Sequence, residues 1–536
     1  MENKNKVIKK IGIIAVAAAV IFFTGMNVIA TDKKVETKKT ETVNSYKENI
    51  VIASKADAKT LDPQRTIDTT SNKTIRLIFN GLLSLDKDLN VQPCLAESWE
   101  AVDDTNTIFH LKKGVKFHNG DTMTAEDVKF SIDRARVSNQ TSYLFKPITE
   151  VTVIDENTVK ITTEKPFGPL LTNLAQTQGC IVSKRAVQEV GEENFFQHPV
   201  GTGQYKFKEW IPGDRIIVEA FDEAFQGAPK VRQITMRTIT EVSNRMIALE
   251  TGEADIAFDI GIMDKEAVKK NKDMEFLEVA SPSSLYLGFD QTTPEYQNKK
   301  LRQAIAYAVD TKVLAEAVFR GSAIAADSPL PKACPAHITP AKQYDQDIEK
   351  AKQLMAEAGY KDGLNIELWV NDDGPRTDMC VIMQEQLKAI GINAEIKIFE
   401  WGAYVSRTAQ PNKQLYLLSW NSTSDGDAAL YALFHSSQQG LSGNRSFYKN
   451  EKLDEVLDKA RYSVNQEERT KLYQEAQEIL QEDKKLVFKG WGIFEIKPVR
   501  AREYCDPRIK KIKKTLPKNK LVFRQGKILK ENINVD

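Results

Sequence analysis

Between residues 50 and 480 the chain alternates short apolar runs with amphipathic stretches, the pattern of strands and helices taken in turn. Ile50-Val51-Ile52-Ala53 is an unbroken apolar run that predicts a buried strand. Leu61-Asp62-Pro63 then ends regular structure, because proline holds its predecessor extended. Residues 107–111 alternate and predict a strand, turned by Lys113-Gly114. Residues 124–130 predict a helix start, with Thr124 as N-cap and Asp127 three positions on, an acidic variant of the capping box. Residues 151–154 and 159–163 predict paired strands across Asp155-Glu156-Asn157.

The second half repeats the alternation. Residues 241–251 have helical spacing through Met246, Ala248 and Leu249, end at Gly252, and lead into a strand at 254–257. A strand is predicted at 284–289, and helices at 301–309 and 348–358, the latter ended by Gly359. The order strand 365–370, helix 377–390, Gly391, strand 393–399 is a β-α-β unit and predicts an α/β lobe. Two further helices are predicted at 451–462 and 466–481.

The N-terminus reads as an export segment. Lys4, Lys6, Lys9 and Lys10 precede an apolar stretch at 11–23, and Val28-Ile29-Ala30 offers the small residues of a cleavage site. Residues 1–30 are thus a signal peptide or, uncleaved, an N-terminal anchor, since 11–30 is long enough to span a bilayer. Both readings put the remainder outside the cytoplasm. Residues 31–48 are charged and Thr-rich and predict a disordered tether.

A chain of 536 residues exceeds what one core holds, about 250–300 residues, so two large lobes are expected. The 75 basic and 74 acidic residues give a net charge of +1, and no chain-wide basic excess calls for nucleic acid. Five histidines are few for a multi-histidine metal site. The cysteines Cys94, Cys180, Cys334, Cys380 and Cys505 are far apart, without C-x-x-C, and their connectivity stays open. There is no H-E-x-x-H, G-x-S-x-G or P-loop, and Gly201-Thr202-Gly203 lacks the third glycine of a dinucleotide loop. No enzyme, cofactor or metal site is predicted.

Several segments then become recognisable together. Leu95-Ala96-Glu97-Ser98-Trp99, the run from Phe109 through Phe117-His118-Asn119-Gly120-Asp121, and Thr124-Ala125-Glu126-Asp127-Val128 follow one another in order. Gly201-Thr202-Gly203-Gln204-Tyr205 comes next, with Gln204 where a proline is usual. The helix leading to Gly252-Glu253 and Asp255-Ile256, Leu301-Arg302-Gln303-Ala304 with Tyr307-Ala308-Val309-Asp310, and Ile390-Gly391-Ile392 complete the set. In this order and spacing the chain resembles the family 5 extracellular solute-binding proteins, the peptide- and nickel-binding components of ABC importers. The resemblance implies a periplasmic-binding-protein-like α/β fold of two lobes (class II, the large cluster with an extra subdomain). Two crossing segments, near 281–288 and 487–494, would join the lobes. It places lobe 1 with its subdomain at 49–282, lobe 2 at 283–488 and a return to lobe 1 at 489–536. It implies a monomer that captures a peptide between the lobes and hands it to membrane permease subunits, with ATP hydrolysed elsewhere and no nucleic acid bound. Many relatives carry a lipobox cysteine; here no Cys precedes Cys94.

The site residues follow from the same resemblance. The stretch from Trp420 to Asp427 resembles the loop where peptide-binding relatives place an acidic pair, so Asp425 and Asp427 are candidates for a ligand ammonium, with Trp420 beside them. Arg376 is the candidate for a ligand carboxylate. Trp401, Tyr404 and Tyr286 are candidate aromatic walls. Solvated turn aspartates, a surface arginine and ordinary lobe packing are the competing readings of these residues. Two other functions stay open: a nickel or metal-chelate receptor on the same fold, for which His435 speaks, and an exported peptidase or surface sensor.

Overall fold

The computed structural model describes residues 47–278, 283–339, 344–421, 425–440 and 443–481, together with the backbone of five short strands between 487 and 524. The predicted signal and nearly all of the predicted tether lie outside the described residues. Among the described residues no helix is long and apolar enough to cross a membrane.

Lobe 1 is built on a five-stranded sheet in the order Ile256–Ala257, Asn49–Ser54, Gln233–Thr238, Arg215–Ala220, Tyr205–Ile211. Its first three strands are parallel. Asn49–Ser54 lies between two of them with Ile50, Ile52 and Ala53 buried, which is why its sequence is a continuous apolar run. The extra subdomain is an antiparallel sheet, Ala96–Ala101, Asn106–Leu111, Thr158–Thr163, Ile148–Asp155, against which the helix Ala125–Val137 packs. The predicted hairpin across Asp155-Glu156-Asn157 and the predicted cap both form; the Thr124 N–H donates to Asp127 Oδ2 at 3.0 Å.

Lobe 2 carries a four-stranded sheet in the order Ser283–Gly288, Leu415–Asn421, Leu364–Asn371, Ile392–Phe399. The last three strands are parallel and Ser283–Gly288 runs antiparallel at one edge. The predicted β-α-β unit is present, with its helix at Gly374–Lys388. The helix starts three residues earlier than the apolar spacing implies, because Asp373 caps it, accepting from the Arg376 N–H at 3.2 Å, and Pro375 fits its first turn. Leu368, Val370, Cys380, Leu387, Ile392 and Leu415 are buried between helix and sheet. The helices Glu451–Tyr462 and Gln466–Gln481 close the far side over Leu330, Ala336 and Leu430.

The first predicted crossing, near 281–288, lies partly outside the described residues; from Ser283 the chain forms the edge strand of the lobe 2 sheet. The second predicted crossing and the predicted return to lobe 1 fall largely outside the described residues. The strands described there, Val487–Phe488, Gly492–Val499, Glu503–Asp506, Lys511–Lys514 and Lys518–Arg524, pair with one another.

Candidate functional site

Three parallel strands of lobe 2 end on one edge, at Asn371, Phe399 and Asn421, and such an edge is where open α/β sheets bind ligands. Arg376 rises from the first turn of the helix that follows Asn371. Its Nη1 donates to Asn371 Oδ1 at 2.6 Å and its Nη2 to Ser419 Oγ at 2.6 Å. Its Cζ stands 6.0 Å from the ring centroid of Trp401, which begins the helix after Phe399 and is 51% exposed. Among the described residues no carboxylate lies within ion-pair distance of Arg376. A held guanidinium beside an exposed indole has the chemistry to receive a carboxylate on a short apolar body.

The acidic pair is built differently. Asp425 is buried, and Arg469, only 1% exposed, donates through Nη2 to both its oxygens at 2.7 and 2.6 Å. Burial lowers the Arg469 guanidinium, but the Asp425 charge outweighs this and holds it above its ordinary value. Asp425 also accepts from the Asp427 N–H at 2.9 Å. Both its oxygens are thus engaged inside lobe 2. Asp427 accepts from Arg461 Nη1 at 3.2 Å through Oδ2, while its buried Oδ1 has no partner. Burial pushes its carboxyl up to about 6, against the opposing pull of Arg461.

The other candidates divide. Trp420 turns its Nε1 to Ala428 O at 2.7 Å and packs on the helical side of lobe 2. Tyr404 is fully buried and donates to Leu417 O at 2.6 Å, which makes it a sheet–helix tie instead of the predicted cleft wall. Tyr286 is half-buried in the edge strand, with its ring edge-on to Tyr416 at 6.3 Å. The structure thus brings Arg376 and Trp401 together, and places Asp425, Trp420 and Tyr404 in internal roles. His435 stacks on Tyr431 at 4.3 Å, with Asp458 at 3.5 Å and Asp454 at 3.9 Å, and among the described residues no group of three metal-ligating side chains forms.

Sequence reasoning missed four participants. Ser419 carries no motif. Arg469 had a signal: with Tyr473 and Ala476 it shares a buried helical stripe, and a charge in such a stripe requires a partner. Phe167 and Gly168 reach from lobe 1 onto lobe 2. The Arg461 guanidinium lies 5.4 Å from the Phe167 ring and 4.0 Å from that of Tyr431, and the Gly168 N–H donates to Arg461 O at 3.0 Å. A Cβ on Gly168 would run into the Arg469 side chain and the Ser463 carbonyl, so this close approach requires glycine.

Residues 90–440 match the model of the bacterial extracellular solute-binding proteins, family 5, middle. Residues 450–534 match that of the bacterial DNA-binding proteins. A glutathione-binding protein of Salmonella choleraesuis is 35% identical over 450 residues, covering 81% of this chain and 86% of its own. The Helicobacter pylori transporter-associated periplasmic binding protein DppA, solved with the peptide STSA, aligns with TM-score 0.70 at 27% identity, covering 81% of this chain and 90% of that one. The oligopeptide-binding protein AppA of Bacillus subtilis, solved with a nonapeptide, aligns with TM-score 0.67 at 26% identity over the same shares.

Proposed function

Because the chain belongs to the bacterial extracellular solute-binding proteins of family 5, we propose that it captures a peptide-like ligand between its lobes and delivers it, without chemistry of its own, to the permease of an ABC importer. The observation that carries this reading is the uncompensated Arg376 beside exposed Trp401 at the strand-end edge of lobe 2. Arg376 takes the ligand carboxylate and Trp401 its apolar part. Asp427 is the better placed of the two acids for an ammonium, since one of its oxygens lacks a partner and both of Asp425 are engaged. The relatives bind glutathione or peptides by their names, which fits such a pair of ends. Export across the membrane is part of the same reading. Titration calorimetry with glutathione, a dipeptide and a nonapeptide, each free and C-terminally amidated, tests it. Free peptides are expected to bind and amides to bind at least tenfold more weakly; equal affinity removes Arg376 from the site, and no binding of any of them removes the peptide reading.

A second activity is favoured by the tail. Residues 484–534 hold 16 basic and 4 acidic residues, a net of +12, while the whole chain sums to +1, so the rest carries −11. Of the span similar to the DNA-binding proteins, the helices Glu451–Tyr462 and Gln466–Gln481 are part of the lobe 2 core, which leaves the basic strands from Val487 onward. Such a segment binds the phosphate backbone of nucleic acid, contrary to the expectation drawn from chain-wide charge. Fluorescence anisotropy with a 30-base-pair duplex at about 50 and 200 mM salt is expected to show binding that falls steeply with salt. Binding unchanged after Lys510, Lys511, Lys513 and Lys514 are all replaced by Gln would sink it.

A further inference from the structure

Lobe 2 holds a cavity of about 410 Å³ that none of Arg376, Trp401, Asn371 or Ser419 lines. One wall is the edge strand Ser283–Gly288 from Ser284 onward, continuing into Phe289. The helix Lys299–Ala308 forms a second wall through Arg302, Gln303 and Ala306. Leu433, Phe434 and Leu480 close it with apolar surface.

Arg302 and Arg445 line the cavity, and among the described residues no lining residue is acidic. Arg445 is 8% exposed; its Nη1 donates to Val405 O at 2.9 Å and Thr408 Oγ1 at 2.6 Å, and its buried Nε has no partner. Arg302 is half-buried and donates to the Tyr296 and Gln297 carbonyls at 2.6 and 3.1 Å. Among the described residues neither guanidinium has a carboxylate within ion-pair distance. Burial pushes Arg302 below its ordinary value, as it does for a cation lacking a counter-charge. A buried cation without an anion is costly, and an interior anion removes that cost.

We propose that this cavity binds a small amphipathic anion, an alkyl or aryl body carrying one carboxylate, with the carboxylate on Arg445 and Arg302 and the body against Leu433, Phe434 and Leu480. The volume is that of a small-ligand site, and apolar walls with a few convergent polar groups are the usual composition of one. The ligand class differs from that of the cleft: a single charge at one end of an apolar body, with no ammonium.

Calorimetry of the full chain with decanoate, methyl decanoate and decylamine tests the assignment. Decanoate is expected to bind one per chain, with the ester and the amine at least tenfold weaker. Arg445→Met should weaken decanoate at least tenfold. Ala306→Phe, which fills the space without touching a charge, should abolish binding, so a misfolded Arg445 variant does not leave the matter open. Arg376→Ala should leave decanoate affinity unchanged; a loss there puts the anion in the peptide cleft and overturns the proposal. Equal binding of the three probes overturns it too, by reducing the cavity to an apolar hole. So does decanoate binding that appears only in a Glu482→Gln, Asp483→Asn variant, which means the chain's own carboxylates fill the space beside Leu480.

Discussion

Two charged clusters in lobe 2 are built in opposite ways. Asp425 has an internal answer: Arg469 meets both its oxygens, and the neighbouring Arg461, between the rings of Phe167 and Tyr431, meets Asp427 Oδ2. Around Arg376 the side chain is held by two neutral groups and its charge has no answer among the described residues. A buried pair that neutralises itself is structure, because removing either member leaves a desolvated charge. A cation pinned by neutral acceptors and without a counter-charge is suited to an anion that arrives from outside. The residue type does not distinguish the two cases; the presence of the counter-charge does.

Arg469→Ala should break this contrast most visibly. It strands Asp425 in the core and is expected to lower stability by about 3–5 kcal/mol, read as a fall in the melting temperature of lobe 2. An unchanged melting curve would mean that Asp425 reaches solvent and the internal reading is wrong. Arg376→Ala should do the reverse. It is expected to weaken peptide binding by about 2–5 kcal/mol while shifting stability by less than about 0.5 kcal/mol. If affinity holds and stability falls, the roles of the two clusters are exchanged.

Asp427 sharpens the contrast through pH. Its folded-state carboxyl is raised to about 6 by burial, above the usual carboxylate range. The folded protein therefore holds this proton more tightly than the unfolded chain, and the stability linked to it is present at low pH and lost as pH rises through about 6. Asp427→Asn should accordingly be more stable than the parent at pH 7.5, by an amount on the order of 2 kcal/mol, with the gap closing toward pH 4. Urea unfolding at both pH values checks it, and a gap that widens in acid would reverse the assignment. The smallest effect is reserved for Trp401→Ala, which removes an exposed cation–π contact. It should weaken peptide binding by about 0.5–1 kcal/mol and leave the melting temperature in place. A loss as large as that of Arg376→Ala would make the indole, not the charge, the main contact.

How far the site was legible follows the same line. The apolar runs announce the strands of both lobes, and the β-α-β order announces the helix that carries Arg376, though the spacing starts it three residues late and leaves the Asp373 cap unread. The acidic pair is the most conspicuous motif, but the partner of Asp425 is not legible in it, because Arg469 lies 44 positions beyond and nothing local joins them. Tyr404 was placed on a wall for the same reason: an aromatic in a helix looks alike whether it faces ligand or sheet. The tail shows the opposite failure, since a chain-wide charge of +1 hides a segment of +12.

What the sequence determined by itself is therefore the local and the periodic: the β-α-β unit, the caps, the apolar face of each element, the family order of its motifs and the basic character of residues 484–534. Those depend on neighbours within a few positions, or on simple counts along the chain. What only the tertiary structure decided is which charge is answered. Asp425 meets Arg469, Phe167 of lobe 1 meets Arg461 of lobe 2, and Arg445 meets no acid among the described residues, because those pairings are fixed by how distant elements pack. Electrostatic energy depends on distance through space and on burial, and neither is written in the spacing of residues along the chain.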